Sequence, residues 1–210
     1  MAGKRKASVI SADVIGSSTL KPAARRKLQA ALDNVFKYAS AQWKDLSVQQ
    51  YRGDSLQAVF TTNRAYSLRA GLLLHSGLQK ENFRIRISVG IGEISYKGRN
   101  IITSDGSAFQ ASGHYLDTLI KSGDVISIAG IDDEFTAEWQ VHSTTLNHII
   151  ERWSRQQAEA IYLHLQQYTQ LKMARKLKIR QPSVHQRLQA AGWPVIQKIL
   201  QRFESVVPSI

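Results

Sequence analysis

Two aspartates stand beside turn-forming residues and could bind a metal together. Asp13 lies near the end of the apolar run "ASVISADVI", and Asp54 follows Arg52 and Gly53 in "YRGDSLQAVF", between two alternating runs. Carboxylate oxygens are ligands that magnesium prefers, and magnesium often accompanies nucleotide phosphates. A Gly-Asp pair is also typical of an ordinary turn. Spacing alone therefore leaves a metal site and a simple hairpin corner open as alternatives.

The elements that position these aspartates follow from the hydrophobic periodicity. A strand ends at the turn Gly16-Ser17-Ser18, and a stripe at helical spacing then begins near Pro22. The strands "SVQQY" and "LQAVF", a second helix and the strand "FRIRISVGIGEIS" come next, before a helix in "GSAFQASGHYLDTLIK" and a strand in "DVISIAG". This order predicts an α+β fold with a ferredoxin-like βαββαβ sheet backed by helices. In such a sheet Asp13 and Asp54 can be adjacent.

Charge and composition separate the last third of the chain from the rest. Residues 144–210 carry ten Lys or Arg and three acidic residues, which is +7 of the formal net charge of +12. This asymmetry predicts an acidic partner, with DNA or RNA favoured over a membrane surface. The chain contains no cysteine, which excludes disulfides and thiolate chemistry and fits a cytoplasmic location.

Part of this basic region has the spacing of a helix-turn-helix. Thr169 can cap a short helix, and Pro182 is placed to start the next one. The small and apolar residues between the two caps would form the core of a two-helix corner: Ala174, Leu177, Ile179, Val184 and Leu188. The pattern resembles the helix-turn-helix of bacterial transcription regulators. Lys178 stands where glycine is usual, so it must accept a left-handed conformation or a different turn.

The residues expected to contact DNA form two chemical groups. The cations would neutralise phosphates: Lys172, Arg175, Lys176, Lys178, Arg180 and Arg187. Polar side chains of the second helix would meet base edges or the sugar-phosphate backbone: Gln181, Ser183, His185, Gln186 and Gln189. The alternatives are a helical bundle with a solvated basic face, serving dimerisation, or an RNA-binding surface.

A family resemblance adds to this interpretation. The segments "SADVIGSS", "RGDSLQAVF" and "RIRISVGIGEI" resemble those of class III nucleotidyl cyclases, whose metal-binding aspartates would fall on Asp13 and Asp54. Together with "SDGSAFQASGHYLD" and the trailing helices, they resemble the bacterial SatD-like family over nearly the whole chain. The resemblance implies a cyclase-like α+β domain in residues 1–142 and a small all-α helix-turn-helix domain in residues 143–210. It also implies Mg²⁺ bound with a nucleotide as the cofactor.

The chain departs from the cyclase pattern where catalysis needs it most. Cyclases of this class place an Asn and, four residues later, an Arg on the helix after the variable loop, and here Gln110 and His114 stand there. Histidine cannot reproduce the planar guanidinium group of arginine. Loss of this arginine could cost on the order of a hundredfold in rate. We therefore assign no catalytic residue with this motif. The residues expected to contact a nucleotide are Gly16, Ser17, Ser18, Arg52, Gln110 and His114, with Lys121 as a further phosphate contact.

The sequence favours a DNA-binding transcriptional regulator with a degenerate domain that senses a nucleotide, with or without a metal. We expect a cytoplasmic homodimer with no membrane partner, since no apolar run reaches the length that spans a bilayer. The alternative is an active metal-dependent nucleotidyl cyclase or nucleotidyltransferase whose helical C-terminus is regulatory. Gln110 and His114 argue against that alternative.

Overall fold

A computed structural model describes residues 5–51, 54–94 and 104–210, in which strands and helices alternate before a helical C-terminal part. The strands are β1 (Arg5–Val14), β2 (Ser47–Tyr51), β3 (Ser55–Phe60), β4 (Ile85–Ile94) and β5 (Ile126–Gly130). The helices are α1 (Pro22–Gln42), α2 (Ser67–Gln79), α3 (Ser107–Ser122), α4 (Asp133–Ile150), α5 (Arg155–Leu165), α6 (Gln170–Leu177), α7 (Gln181–Ala190) and α8 (Trp193–Val206). The α+β class expected from the sequence is confirmed.

The strands form one sheet in the order β2-β3-β1-β4-β5. The central strand β1 pairs antiparallel with β3 on one side and with β4 on the other, and β5 joins β4 in parallel. The register places Asp13 of β1 between Ser55 of β3 and Arg86 of β4. Because Ser55 directly follows Asp54, the two aspartates of the sequence motif lie at the same end of the sheet.

Helices cover both faces of the sheet. Side chains alternate between the faces along each strand, and apolar residues on both faces are buried against helices. Ile10 of β1 shares a buried cluster with residues of α1 and α2, whereas Val9 belongs to a separate buried cluster with Ala108 of α3. The helix α3 lies directly on β4, since a Cβ atom at Gly90 would collide with the carbonyl oxygen of Ala108. Gly90 is therefore a position of close backbone approach between β4 and α3.

The helix α2 is buried on nearly every side because other helices pack against it as well as the sheet. Residues 70–78 are all buried, and α5 and α1 both contact α2. A Cβ atom at Gly77 would lie 2.9 Å from the Tyr162 ring of α5, so this glycine lets the helices approach. The C-terminal helices therefore pack on the layer that backs the sheet. In the part of the chain that the structure describes, no helix combines the length and the apolar character needed to cross a membrane.

The segment around the predicted domain boundary is helical, since α4 spans Asp133–Ile150. Asp132 caps α4 by accepting a hydrogen bond from the Phe135 N–H at 2.8 Å, and the helix continues to Ile150. The predicted boundary between residues 142 and 143 therefore falls inside α4. Leu146 and Ile150 of this helix are fully buried in the same cluster as the sheet. The division into domains 1–142 and 143–210 stays a prediction.

Polar side chains on one side of α4 form hydrogen bonds with the backbone at the outer edge of β5. In the described residues, no strand pairs with this edge. Asn147 accepts a hydrogen bond from the Ile126 N–H and donates one to the Ile126 carbonyl oxygen, both at 2.9 Å. Ser143 Oγ accepts from the Ile128 N–H at 3.1 Å, and Gln140 donates to the Ile128 carbonyl oxygen at 2.9 Å. The helix thereby covers an edge that could otherwise pair with another chain.

Candidate functional site

The structure brings Asp13 and Asp54 together at the end of β1. The Val14 N–H donates a hydrogen bond to the Asp54 carbonyl oxygen at 3.2 Å, which joins the hairpin to the central strand. The Asp54 carboxylate accepts a hydrogen bond from the Ser17 hydroxyl of the loop after β1. Three segments that are distant in sequence therefore meet around two carboxylates.

Arg86 is the partner of Asp13, and it was not singled out from the sequence. Its Nη1 donates to Asp13 Oδ2 at 3.1 Å, and the Arg86 and Asp13 side chains are only 17% and 23% exposed. The remaining carboxylate oxygen, Asp13 Oδ1, is buried and has no hydrogen-bond partner among the described residues, and the same holds for Arg86 Nε. The period of two in "FRIRISV" indicates which face Arg86 occupies, but only the register of β1 and β4 shows that it meets Asp13.

The pKa of Asp13 reflects two opposing influences. Burial raises the pKa of this carboxyl, the Arg86 charge and hydrogen bond lower it, and the nearby Asp54 charge raises it again. The net direction is upward. Desolvation therefore outweighs the ion pair, since a half-buried carboxylate loses much of its hydration while it gains one cation.

The residues at this end do not fit a resident magnesium ion. Asp13 Oδ2 accepts from a guanidinium and Asp54 Oδ2 from a hydroxyl, and within the described part of the chain Asp13 Oδ1 is buried without a partner. Across residues 5–51, 54–94 and 104–210, no group of three or more His, Asp or Glu could hold a metal ion. Arg86 already supplies a positive charge where a cation would bind. A magnesium ion brought in by a nucleotide stays a prediction.

The loop after β1 offers backbone donors to an anion. Gly16 adopts the left-handed conformation, with φ 73° and ψ 17°, and begins a short turn through Thr19. Within the described part of the chain, the N–H groups of Gly16, Ser17 and Ser18 donate to no acceptor. Consecutive free N–H groups of this kind form anion-binding nests. Arg25, which sequence reasoning missed, holds the loop by donating to the Ser18 carbonyl oxygen at 3.2 Å.

This loop, Asp54 and the start of α1 line a pocket of about 370 Å³. Its polar lining comprises Ser17, Ser18, Arg25, Gln29 and Asp54. The pocket can accept an anion at the loop, while the Asp54 carboxylate disfavours a second negative charge nearby. We call it the sheet-end pocket.

The other residues expected to contact a nucleotide are not brought to this pocket within one chain. Gln110 and His114 are exposed on α3, about half a turn away from Ala108 and Ser112, which face the sheet. In the described residues, no hydrogen bond or ion pair joins their side chains to the sheet end. Lys121 is exposed in the last turn of α3, and the expected contact Arg52 lies outside the described residues.

The helices α6 and α7 form a two-helix corner. Thr169 Oγ1 accepts from the Lys172 N–H at 3.3 Å, so the predicted cap of α6 is present. Lys178 adopts the left-handed conformation, with φ 54° and ψ 43°, which is the first of the two conformations expected at this position. Pro182 lies at the start of α7, and Val184 and Leu188 of that helix are buried. The corner therefore has the predicted cap of α6, a left-handed turn and buried residues on α7, and its assignment as a helix-turn-helix stays a prediction.

The residues predicted to contact DNA lie on the surface of this corner. Ser183 and Arg187 are half-buried, and the others are exposed: Lys172, Arg175, Lys176, Lys178, Arg180, Gln181, His185 and Gln186. Among the residues that the structure describes, no carboxylate pairs with any of the six cations. Lys176 Nζ lies 5.2 Å from the centre of the Tyr168 ring, and Gln181 donates to Gln170 at 2.6 Å. The corner thus presents unneutralised positive charge to solvent.

Comparisons with known proteins return nucleotidyl cyclase structures at low similarity. A bacterial light-regulated adenylyl cyclase is 14% identical, with a TM-score of 0.48, over 60% of this chain and 76% of that chain. The guanylyl cyclase Cya2 is 13% identical, with a TM-score of 0.42, over 61% of this chain and 76% of its own. The GGEEF domain of a diguanylate cyclase from Vibrio cholerae is 11% identical, with a TM-score of 0.40, over 61% and 85%.

At these identities and TM-scores, the similarity concerns the general arrangement of strands and helices. It carries no information about what this chain binds or catalyses. No protein-family model matches the sequence, and no curated protein matches it.

Proposed function

We propose that this protein is a DNA-binding transcriptional regulator that contacts DNA through α6 and α7. The observation that carries the proposal is the cluster of six cations on the corner, for which the described part of the chain provides no carboxylate partner. Unpaired surface cations release counterions from phosphates when they bind DNA, and this supplies most of the nonspecific affinity.

The second helix of the corner supplies the groups that could read sequence. His185, Gln186 and Gln189 are exposed on α7, while Val184 and Leu188 hold the opposite side of the helix in the core. Imidazole and amide side chains can exchange hydrogen bonds with base edges in the major groove. A homodimer would present two such helices to half-sites about one helical turn apart.

The N-terminal part is proposed to be a cyclase-like domain of ferredoxin-like topology with a degenerate site. The strand order β2-β3-β1-β4 with antiparallel pairing supports this topology. The free N–H groups of the loop after β1 support phosphate binding in the sheet-end pocket, so a nucleotide is the proposed ligand there. Gln110 and His114, in place of the cyclase Asn and Arg, favour binding over turnover.

A metal-dependent cyclase or nucleotidyltransferase remains the second candidate because Asp13 and Asp54 are adjacent. A metal at Asp13 Oδ2 would have to displace Arg86, and a metal at Oδ1 would lie beside the Arg86 charge, which weighs against this candidate. It is tested by incubating the protein with ATP, GTP, CTP and UTP in magnesium or manganese. A nucleotide product that Asp13→Ala abolishes would establish the enzyme, and no product with any of the four would eliminate it.

The regulator is tested by capture of fragments of the genome that encodes it, with excess nonspecific competitor at roughly 0.15 M salt. We expect a few discrete fragments. A variant with Arg175, Arg180 and Arg187 changed to Gln should recover none of them. The control changes three exposed cations elsewhere, Lys21, Arg26 and Lys44, to Gln and so loses the same charge. Equal loss in both variants, or no discrete fragment with the wild type, would contradict sequence-specific binding through the corner.

A further inference from the structure

We propose a second ligand site, for a small ring-bearing anion such as a nucleoside monophosphate, in a groove between the helices that back the sheet and the two-helix corner. The groove has a volume of about 570 Å³ and lies between α1, the end of α2, α5 and α6. We call it the interhelical groove. Its size is sufficient for a drug-sized or nucleotide-sized ligand.

Positive charge enters the interhelical groove from three different elements. Lys37 comes from α1, Lys80 follows α2, and Lys176 comes from α6. Glu159 of α5 is the one carboxylate that lines the groove, and Glu81 pairs with Lys80 at 2.8 Å from outside the lining. The lining therefore has a positive balance, which favours an anion.

Aromatic side chains give the groove surfaces on which a ring could pack. Tyr38 and Tyr162 line it, together with the apolar side chains of Leu163 and Leu177. The Lys80 ammonium lies 5.2 Å from the centre of the Tyr162 ring, a distance at which cation and ring attract each other. A ligand that carries both a ring and a negative charge would use the two kinds of surface at once.

The tyrosine hydroxyls are available as donors to an anion at neutral pH. Burial is the main cause that raises the pKa of Tyr38, and the neighbouring Tyr168 raises it further. The pKa of Tyr162 is also raised, first by burial, although a hydrogen bond with Gln166 lowers it in part. Both phenols therefore keep their protons, and a protonated phenol can donate to a phosphate oxygen.

The interhelical groove shares Lys176 with the surface proposed to bind DNA. An anion in the groove would compete for this cation, so the ligand and DNA would weaken each other's binding by the same factor. The ligand site itself does not depend on the proposed function, but this effect on DNA rests on it. If the ligand binds the groove but leaves the affinity for DNA unchanged, the proposed DNA-binding surface is contradicted and the groove site is not.

The test is a calorimetric titration of AMP into the full chain in EDTA, so that no divalent metal contributes. We expect saturable binding that Lys37→Gln and Lys176→Gln each weaken about fivefold to tenfold, because each removes one charge-assisted contact. Glu159→Gln should tighten binding severalfold, because it removes a carboxylate that repels the phosphate. Inorganic phosphate should bind more weakly than AMP, since it lacks the ring.

Two control variants separate the groove from the other charged regions. Arg175→Gln removes one charge from α6 beside Lys176, and Arg26→Gln removes one exposed charge from α1; neither residue lines the interhelical groove or the sheet-end pocket. Both should bind AMP as the wild type does. The proposal is overturned by the absence of saturable binding up to about 5 mM AMP. Binding that Arg26→Gln weakens as much as Lys37→Gln does, or that Lys37→Gln and Lys176→Gln leave unchanged, would also overturn it.

Discussion

The end of the sheet and the two-helix corner are both rich in charged side chains, but they differ in whether those charges have partners within the chain. At the sheet end, Asp13 pairs with Arg86 and Asp54 accepts from Ser17, so a partner from a distant part of the chain binds one oxygen of each carboxylate. At the corner, the described part of the chain supplies no carboxylate for the cations of α6 and α7.

This difference indicates what a substitution should change in each region. Removing one member of a buried pair leaves the other uncompensated, which lowers the free energy of unfolding. Removing an exposed cation without a partner costs the fold almost nothing, and its effect should appear only when an anionic partner binds. The sheet end is therefore expected to respond in stability, and the corner in binding.

The largest effect on stability is expected at Asn147, where a polar side chain of α4 serves the edge of β5. Asn147→Ala would leave two N–H groups and one carbonyl oxygen of Val125 and Ile126 without their partner. We expect a loss of about 3 kcal/mol in the free energy of unfolding, measured by urea denaturation. Thr145→Ala, on the exposed side of the same helix, is the control. A loss at Asn147 no larger than that of the control would mean that water replaces these hydrogen bonds.

His75 extends the comparison to a titratable group that is buried with no hydrogen-bond partner among the described residues. Both ring nitrogens lack a hydrogen bond in the described structure, and burial, with a smaller contribution from Arg84, lowers the pKa to about 4. The unfolded chain binds this proton near pH 6.5, so the folded state should lose stability as the pH falls from about 6.5 towards 4. The loss from this group should reach about 3 kcal/mol at the lower limit.

His75→Leu should remove this contribution to the pH dependence of the free energy of unfolding, measured by denaturation at pH 7 and at about pH 4.5. The exposed His148→Leu is the control and should keep the wild-type dependence. If both variants lose stability on acidification as the wild type does, other groups cause the acid sensitivity.

Arg86 tests the claim that the chain provides its own cation at the sheet end. Arg86→Met would leave Asp13 half-buried without its partner, and we expect about 2 kcal/mol less stability at pH 7. The same variant should gain stabilisation by Mn²⁺ in a thermal shift experiment, whereas the wild type shows none. Arg84→Met changes an exposed arginine two residues away and should do neither. Equal stabilisation of the wild type by Mn²⁺ would show that Arg86 does not exclude a metal.

Local spacing predicted the parts of the fold that depend on neighbouring residues. The α+β class and the left-handed Lys178 each follow from the sequence and the conformations it permits. The helix α4 was not predicted to bond to β5. Its polar residues are a helical stripe that bonds to a strand edge, and that role depends on where β5 lies.

The candidate sites show the same difference between what local sequence predicts and what depends on tertiary structure. The residues of the corner were predicted because caps, turn and core lie within about twenty consecutive residues. Arg86 and Arg25 were missed because their roles depend on strand register and on a loop that folds back on α1. Gln110 and His114 were assigned through a family resemblance, and the structure places them on the outer side of α3.

The smallest effect and the sharpest contrast are expected from single cations of the corner. Arg175→Gln should leave the free energy of unfolding unchanged, because in the described structure no carboxylate pairs with Arg175. It should weaken DNA binding about fivefold at roughly 0.15 M salt and reduce the slope of log K against log salt by about 0.9, as expected for one lost phosphate contact. The loss should be similar for specific and nonspecific DNA, whereas Gln186→Ala should affect the specific site alone. A drop in stability without a change in slope would place Arg175 with the partnered charges of the sheet end and would remove the contrast between the two regions.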